Sequence, residues 1–331
     1  MTGLNVPAAP PSSSSSSSSS WLSPDWPELP ANVGALFTTR RGGVSVAPYD
    51  DGFGGGGFNL GVHVGDQPGC VAFNRGLLRA ALPAEPAWLT QVHGTTVFDV
   101  TAHAGFAAAA AAAAAEGGVP QADPLLASAP AVPGAATVEA HANFAPPWAE
   151  GQVALLPTDP ALAAPEADAS LAHAPGSVCV IMTADCLPVL FCDRAGKVVA
   201  AAHAGWRGLA NGVLARTVAG MRAAGAGEIL AWLGPAIGPA RFEVGAEVKQ
   251  TFLEQGSAAD AARLTAAFTP LPGHPGKYLA DIYALARCML EADGVSRIAG
   301  GELCTVSDVA NFYSYRRDGV TGRQASLIWI K

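Results

Sequence analysis

One stretch constrains this chain more than any other: residues 177–212, SVCVIMTADCLPVLFCDRAGKVVAAAHAGWRGLANG. A near-continuous apolar run such as Val178–Met182 reads as a strand buried on both faces. The runs VLFC and KVVAAAH, joined by Asp-Arg-Ala-Gly, read as a hairpin. A tight polar break, ADCLP, separates the first strand from that hairpin and carries Cys186. Where the hairpin ends, His203 gives way to Gly-Trp-Arg-Gly and a helical pattern. A third residue of the same kind, His93 in TQVHGT, lies far upstream in a similar setting beside glycine.

Two imidazoles and one thiolate are enough to hold a metal with an open position, and could supply the three protein ligands of a catalytic zinc site. The separations, 186 − 93 = 93 and 203 − 186 = 17 residues, are not a zinc-finger pattern. The local settings speak more clearly, because each residue sits at a chain break where loops converge at strand ends. Taken singly, each has a plainer reading, as a hydrogen-bonded core histidine or an inert cysteine.

The rest of the chain divides by composition. Residues 1–28 run from Pro/Ala through nine serines to WLSPDWPE, and are expected to be disordered up to Glu28. Structure is expected from NVGALFTTRRGG onward. PGCVAFNRGLLRAAL, GLANGVLARTVAGMRAAG, AEVKQTFLEQ and KYLADIYALARCMLEADG read as helices. EILAWLG reads as a buried strand, and FYSYRRDGVTGRQASLIWIK as a terminal hairpin. From about residue 102 to 164 a poly-Ala tract and an Ala/Pro/Gly-rich stretch read as an inserted surface excursion. Strands alternate with helices but hairpins interrupt the alternation, which indicates an α/β fold with mixed sheets.

Charge and cysteine content exclude several classes. Only 14% of residues are charged and the formal net charge is −8, with no basic stripe, so no nucleic-acid partner is expected. The longest apolar run, AGFAAAAAAAAA, is too short and too alanine-rich for a bilayer, so no membrane association is expected. Six scattered cysteines without a secretory pattern read as reduced thiols in a cytoplasmic protein. Cys179 and Cys192 read as buried small hydrophobes, and burial is the expectation for Cys304 as well.

The segments TQVHGTTV, TADCLPVLF, AAHAGWRGLANGVL, WLGPAIGPARFEVGAEV and FYSYRRDGVTGR, in that order, resemble the YfiH-like laccase-domain family. That family is also called the multicopper polyphenol oxidoreductase or purine nucleoside phosphorylase family. The resemblance runs from about Asn32 to Ile330 and omits the excursion. It implies a single catalytic domain, residues 29–331, folded as an α/β/β/α sandwich. It also implies zinc (Zn2+) on His93, Cys186 and His203, with copper (Cu2+) as a lesser alternative. The implied activity is phosphorolysis of adenosine, inosine, guanosine and methylthioadenosine, with adenosine deamination on the side.

TTRRGGVS, FNLGVHVGD and FNRGLL also match the family's pattern and bring Asn59 and Arg75 towards the site. Phosphorolysis needs phosphate held against C1′ of the sugar. Arg207, at a helix start, and Arg75 are the candidate clamps. Asp185 is the candidate proton shuttle for deamination, with a turn or ligand-supporting role as its alternative. His63 is a further candidate pocket residue, or a loop histidine bonded to Asp66. Glu243 is expected to be structural, and His103, His141, His173 and His274 to lie on the surface.

Three other functions compete. Four-copper oxidation is rejected, because seven histidines include no His-X-His pair. A muramyl-precursor amidase releasing L-serine, as described for some relatives, would use the same residues. A non-enzymatic interaction protein with a structural metal would need a fourth protein ligand. Small-molecule nucleosides and phosphate are the expected partners, and a monomer is favoured.

Overall fold

The apolar runs around Cys186 form strands whose two faces meet different neighbours. The computed structural model describes residues 20–103 and 164–331. In chain order the first part contains β1 (Trp21–Leu22), β2 (Val33–Thr38), β3 (Arg41–Ser45), α1 (Pro68–Ala80), β4 (Pro86–Ala87) and β5 (Val97–Asp99). The second begins with β6 (Ala169–Ala172), β7 (Val178–Thr183), β8 (Leu187–Asp193), β9 (Val199–Ala204), α2 (Trp206–Ala210), α3 (Val213–Ala223) and β10 (Ile229–Leu233). It continues with β11 (Glu243–Gly245), α4 (Ala246–Gln255), α5 (Ala261–Ala266), β12 (Phe268–Pro270) and β13 (Lys277–Ala280). It ends with α6 (Ile282–Ala292), β14 (Arg297–Gly300), α7 (Tyr315–Asp318) and β15 (Gln324–Ile330).

Two mixed sheets carry the fold, in the orders β1-β2-β15-β7-β4 and β14-β10-β8-β9-β6-β5. A small third sheet, β11-β13-β12, flanks them. Successive strand residues point to opposite faces, and this sorts the core into layers. Cys179 and Ile181 of β7 pack with Leu190 and Cys192 of β8 and with Val199 and Ala201 of β9, between the two sheets. The alternate residues Val178, Val180 and Met182 face Leu78 of α1, together with Phe58 and Leu60. On the other side, Val189 and Phe191 of β8 meet Val218 and Met221 of α3 and Leu285 of α6. Helix, sheet, sheet and helix therefore stack in the order expected, an α/β/β/α sandwich.

Several local expectations need correction. Residues 21–28 are not disordered. Trp21 and Leu22 pair with Thr38 and Phe37, Trp26 is buried, and Glu28 pairs with Arg194 and Arg297. Two large aromatic rings near Glu28 give this edge the apolar area that the serine tract lacks. The remainder of the expected disordered segment, residues 1–19, and nearly all of the Ala/Pro excursion lie outside the described residues.

KYLADIYALARCMLEADG divides into strand and helix. Lys277–Ala280 pair in the small sheet, and the helix starts at Ile282 because the Asp281 carboxylate accepts the Ala284 N–H. The helix read from GLANGVLARTVAGMRAAG breaks at Gly212, whose φ of 89° only glycine adopts freely. The polar stretch after Gln255 contains a short helix of its own, α5. The C-terminal stretch is not a hairpin. β15 lies between β2 and β7, and FYSY instead leads into α7.

Phe191 is fully buried on the helix-facing side of β8. Its replacement by alanine should lower the unfolding free energy by about 3–5 kcal/mol, measured by chemical denaturation.

Candidate metal centre

Two of the three donor residues sit on links by which the chain passes from one sheet to the other. His93 lies between β4 of the five-stranded sheet and β5 of the six-stranded sheet. Cys186 lies between β7 and β8, which likewise belong to different sheets. His203 is the penultimate residue of β9, paired with Pro188 on β8. The backbone pairing thus carries His203 alongside the start of β8, and the crossing links bring the other two donors to the same end.

The three ligand atoms all lie within 4.8 Å of one another. Cys186 Sγ is 3.8 Å from His93 Nε2, and the two imidazole centroids are 4.8 Å apart at 70°. Tetrahedral zinc with ordinary bond lengths would separate such donors by about 3.4–3.6 Å, so the preformed cluster needs only a small contraction. Two nitrogens and one sulfur suit a borderline-soft cation rather than magnesium or calcium. The residues fit a metal. They open on a cavity of about 700 Å³ whose walls include Val62, Trp88, Leu89, Met182 and Tyr315. Gly205 packs closely against two of the donors: a Cβ there would lie 3.0 Å from both Cys186 Sγ and His93 Cδ2.

A residue that sequence reading passed over holds the centre together. The fully buried carboxylate of Asp168 accepts the backbone N–H groups of Val92, His93 and Gly94 at 3.2, 2.9 and 2.6 Å. It also pairs with His203 Nδ1 at 2.8 Å. That contact places a proton on Nδ1 and makes Nε2 the nitrogen that would ligate once its own proton is lost. His93 itself has a φ of 62°, a left-handed backbone that curls the three N–H groups towards one anion. The only sequence cue was an isolated acidic residue, ADAS, entering a strand.

Electrostatics reinforce the cluster. Burial pushes the Cys186 thiol up, but the adjacent imidazoles of His203 and His93 outweigh it and bring its pKa down to about 6. Burial pushes His203 down, and the Cys186 thiolate with the Asp168 carboxylate overcomes this and raises it to about 9. Burial also pushes Asp168 up, yet the bonds from His203, Gly94 and Val92 leave it below the usual carboxylate range.

The other sequence candidates scatter. Arg75 lines the cavity, its guanidinium 3.8 Å above the Trp88 ring. His63 lines it too, while the Asp66 carboxylate is taken by Ser45, Asn59 and the Gln67 N–H, so the pocket alternative for His63 fits. Arg207 is exposed, lies over the Trp206 ring and lines neither of the cavities that share Cys186. Asn59 is fully buried and braces backbone: its Oδ1 accepts the Gly61 and Arg323 N–H groups.

Asp185 accepts the Thr305 hydroxyl at 2.6 Å and the Arg316 N–H at 2.6 Å, so both its oxygens fasten the cysteine loop. Its geometry favours the supporting alternative over the proton shuttle. Glu243 pairs with Lys277 at 3.9 Å and its carbonyl accepts from Arg316, a structural place. Cys304 is partly exposed rather than buried, its sulfur accepting the Gly238 N–H. His103, His173 and His274 are exposed, and His141 lies outside the described residues. Arg323, which also lines the cavity, was missed, although its place between a Gly-rich turn and the last strand was visible.

Fold and centre together give an α/β/β/α sandwich with a candidate His-Cys-His metal centre open to a cavity. The chain belongs to the family described as multi-copper polyphenol oxidoreductase laccase, which matches residues 34–331. It is 45% identical to a Pseudomonas aeruginosa protein named purine nucleoside phosphorylase, over 94% of this chain and 99% of that one. It is 44% identical to the Escherichia coli purine nucleoside phosphorylase YfiH, over 93% and 97%. Among solved structures, the Neisseria meningitidis protein NMB0706 superposes with a TM-score of 0.68 at 40% identity, covering 95% of this chain and 100% of that one. No helix among the described residues is long and apolar enough to cross a membrane.

Two outcomes follow from the centre. Asp168→Asn should weaken metal affinity by about 10–100-fold, read by competition with a chromogenic chelator. In metal-free protein, alkylation of Cys186 should stay fast at neutral pH and fall only as pH drops through about 6. Cys179 and Cys192, whose burial pushes each up to about 12, should stay unlabelled in the same peptide map.

Proposed function

We propose that the protein is a zinc-dependent purine nucleoside phosphorylase acting on adenosine, inosine, guanosine and methylthioadenosine, with adenosine deamination as a side activity. The observation that carries this reading is the opening of a three-donor centre onto a cavity large enough for a nucleoside. Relatives 44–45% identical over almost the whole chain bear the phosphorylase name. A structural ion would call for a fourth side chain and no adjoining cavity.

In phosphorolysis a phosphate oxygen bonds to C1′ while the C1′–N9 bond breaks. The bonding pair passes to the purine, which takes up the proton that hydrogen phosphate gives up and departs as the neutral base. Trp88, Met182, Val62 and Tyr315 give the cavity an apolar surface suited to a purine face. Arg75 offers positive charge where phosphate would enter. Zinc on His93, Cys186 and His203 would supply Lewis acidity towards oxygen and, for deamination, a water of lowered pKa. Asp168 keeps His203 in the ligating tautomer, and the glycine at position 205 lets the donors approach.

Metal-loaded protein incubated with inosine should release hypoxanthine only when phosphate is present. Cys186→Ala should lower that rate by about 100-fold or more and lose the metal, measured by chromatography and elemental analysis. Release of L-serine from a UDP-muramyl-serine precursor without phosphate-dependent base release would instead identify an amidase.

A further inference from the structure

Two guanidinium groups, Arg75 and Arg323, line the cavity that also receives Cys186, His93 and His203. Among the described residues neither forms an ion pair with a carboxylate. Arg79, not Arg75, takes the nearby Glu85. Both groups keep donors that no described residue accepts. Arg75 uses Nε on the Leu60 carbonyl at 2.9 Å, and its Nη2 has only the weak Met182 Sδ contact at 3.9 Å. Arg323 uses Nη1 on the carbonyls of Thr321 and Gly322, each at 3.0 Å. Guanidinium donors left unused on the wall of a cavity suit an anionic ligand.

Their placement is built rather than incidental. Asn59, Leu60 and Gly61 form a bracket between them. The Leu60 carbonyl accepts from Arg75, and the Leu60 N–H donates to the Arg323 carbonyl at 3.1 Å. Asn59 Oδ1 accepts the Arg323 N–H at 2.8 Å. Gly61 leaves room for the Arg323 stem, since a Cβ there would lie 2.8 Å from Arg323 Cγ. Trp88 lies flat beneath the Arg75 guanidinium and restricts its swing.

Burial pulls Arg75 down to about 10 and lowers Arg323 as well, outweighing the fields of Glu85 on the first and of Cys186 and Asp185 on the second. Burial first, and then the fields of Arg323 and Arg75, hold His63 below its usual range. Both positive charges are therefore felt at one further position on the wall.

We propose that Arg75 and Arg323, held by the Asn59–Gly61 bracket, form a subsite for a tetrahedral oxyanion, and that its occupant is inorganic phosphate. Two forked guanidinium groups with unused donors complement a phosphate dianion better than a carboxylate. The subsite rests on the phosphorylase reading for its role in the reaction, though not for its existence. It assigns to Arg323 the place that the sequence alone gave to Arg207.

The test uses full-length, metal-loaded protein and titration calorimetry with inorganic phosphate, and separately with 5′-AMP, alongside inosine kinetics. Arg323→Met should weaken phosphate binding by about tenfold or more, and Arg323→Lys should restore only part of it. Gly61→Ala, which keeps the guanidinium but displaces its stem, should weaken phosphate binding as well. The nucleoside KM and the metal content should change by less than about twofold in all three variants.

Unchanged phosphate affinity in Arg323→Met overturns the subsite. So does an equal loss of phosphate, nucleoside and metal, which would mark Arg323 as merely structural. Arg323-dependent binding of 5′-AMP without binding of free phosphate overturns the assignment of the occupant. If wild-type protein releases no base with phosphate, the phosphorylase reading fails, while the phosphate titration still decides the subsite on its own.

Discussion

The centre depends on one buried carboxylate. Asp168 has no solvent exposure, and taking a charge out of water costs several kcal/mol unless bonds replace the lost hydration. Here three consecutive backbone N–H groups and an imidazole replace it. The same four contacts do the positioning. They curl the His93 loop, hold His203 in one tautomer, and tie the link between β4 and β5 to the end of β9. His93 and His203 are 110 residues apart in the chain (203 − 93), yet one side chain sets the relation between them. The positive φ at His93 is the backbone's accommodation to that anion.

Cys186 is braced by a parallel device. Asp185, itself at a φ of 99°, reaches Thr305 and the start of α7, so the cysteine turn is fastened to the C-terminal part of the chain. Two acidic residues thus position the donors without entering the cavity chemistry. The division of labour is clear in the arginines as well. Arg75 and Arg323 reach the cavity, whereas Arg207 spreads over Trp206 in the open.

Much of this was legible in the chain itself. The doubly buried strands announced themselves as unbroken apolar runs, and the three donors by their setting beside glycine or proline at strand ends. The layered order came from the family resemblance, and the mixture of hairpins with helices indicated mixed sheets. The Asp281 cap was hidden because KYLA, Asp281 and the helix after it form one continuous apolar pattern, and only tertiary pairing with β11 and β12 makes KYLA a strand. Asp168 and Arg323 escaped for a different reason. Each acts through partners more than 30 positions away, including His203 for the first and Asn59 for the second, and local periodicity carries no trace of such pairings. Asn59 and Asp185 were found by motif, but a motif marks a constrained position and does not say whether it touches substrate.

Because His93 and Cys186 ride on connectors that bridge the two sheets, the gap between the layers sets the bite of the centre. A bulkier side chain at Leu190, about 13 Å along the strand from Cys186, would wedge the sheets apart and spread the donors without touching any of them. Interior packing is in this sense the calliper of the three-donor centre, and Ala201 of β9, beside Leu190 in the same layer between the sheets, is the thin shim that keeps its jaws at the right opening.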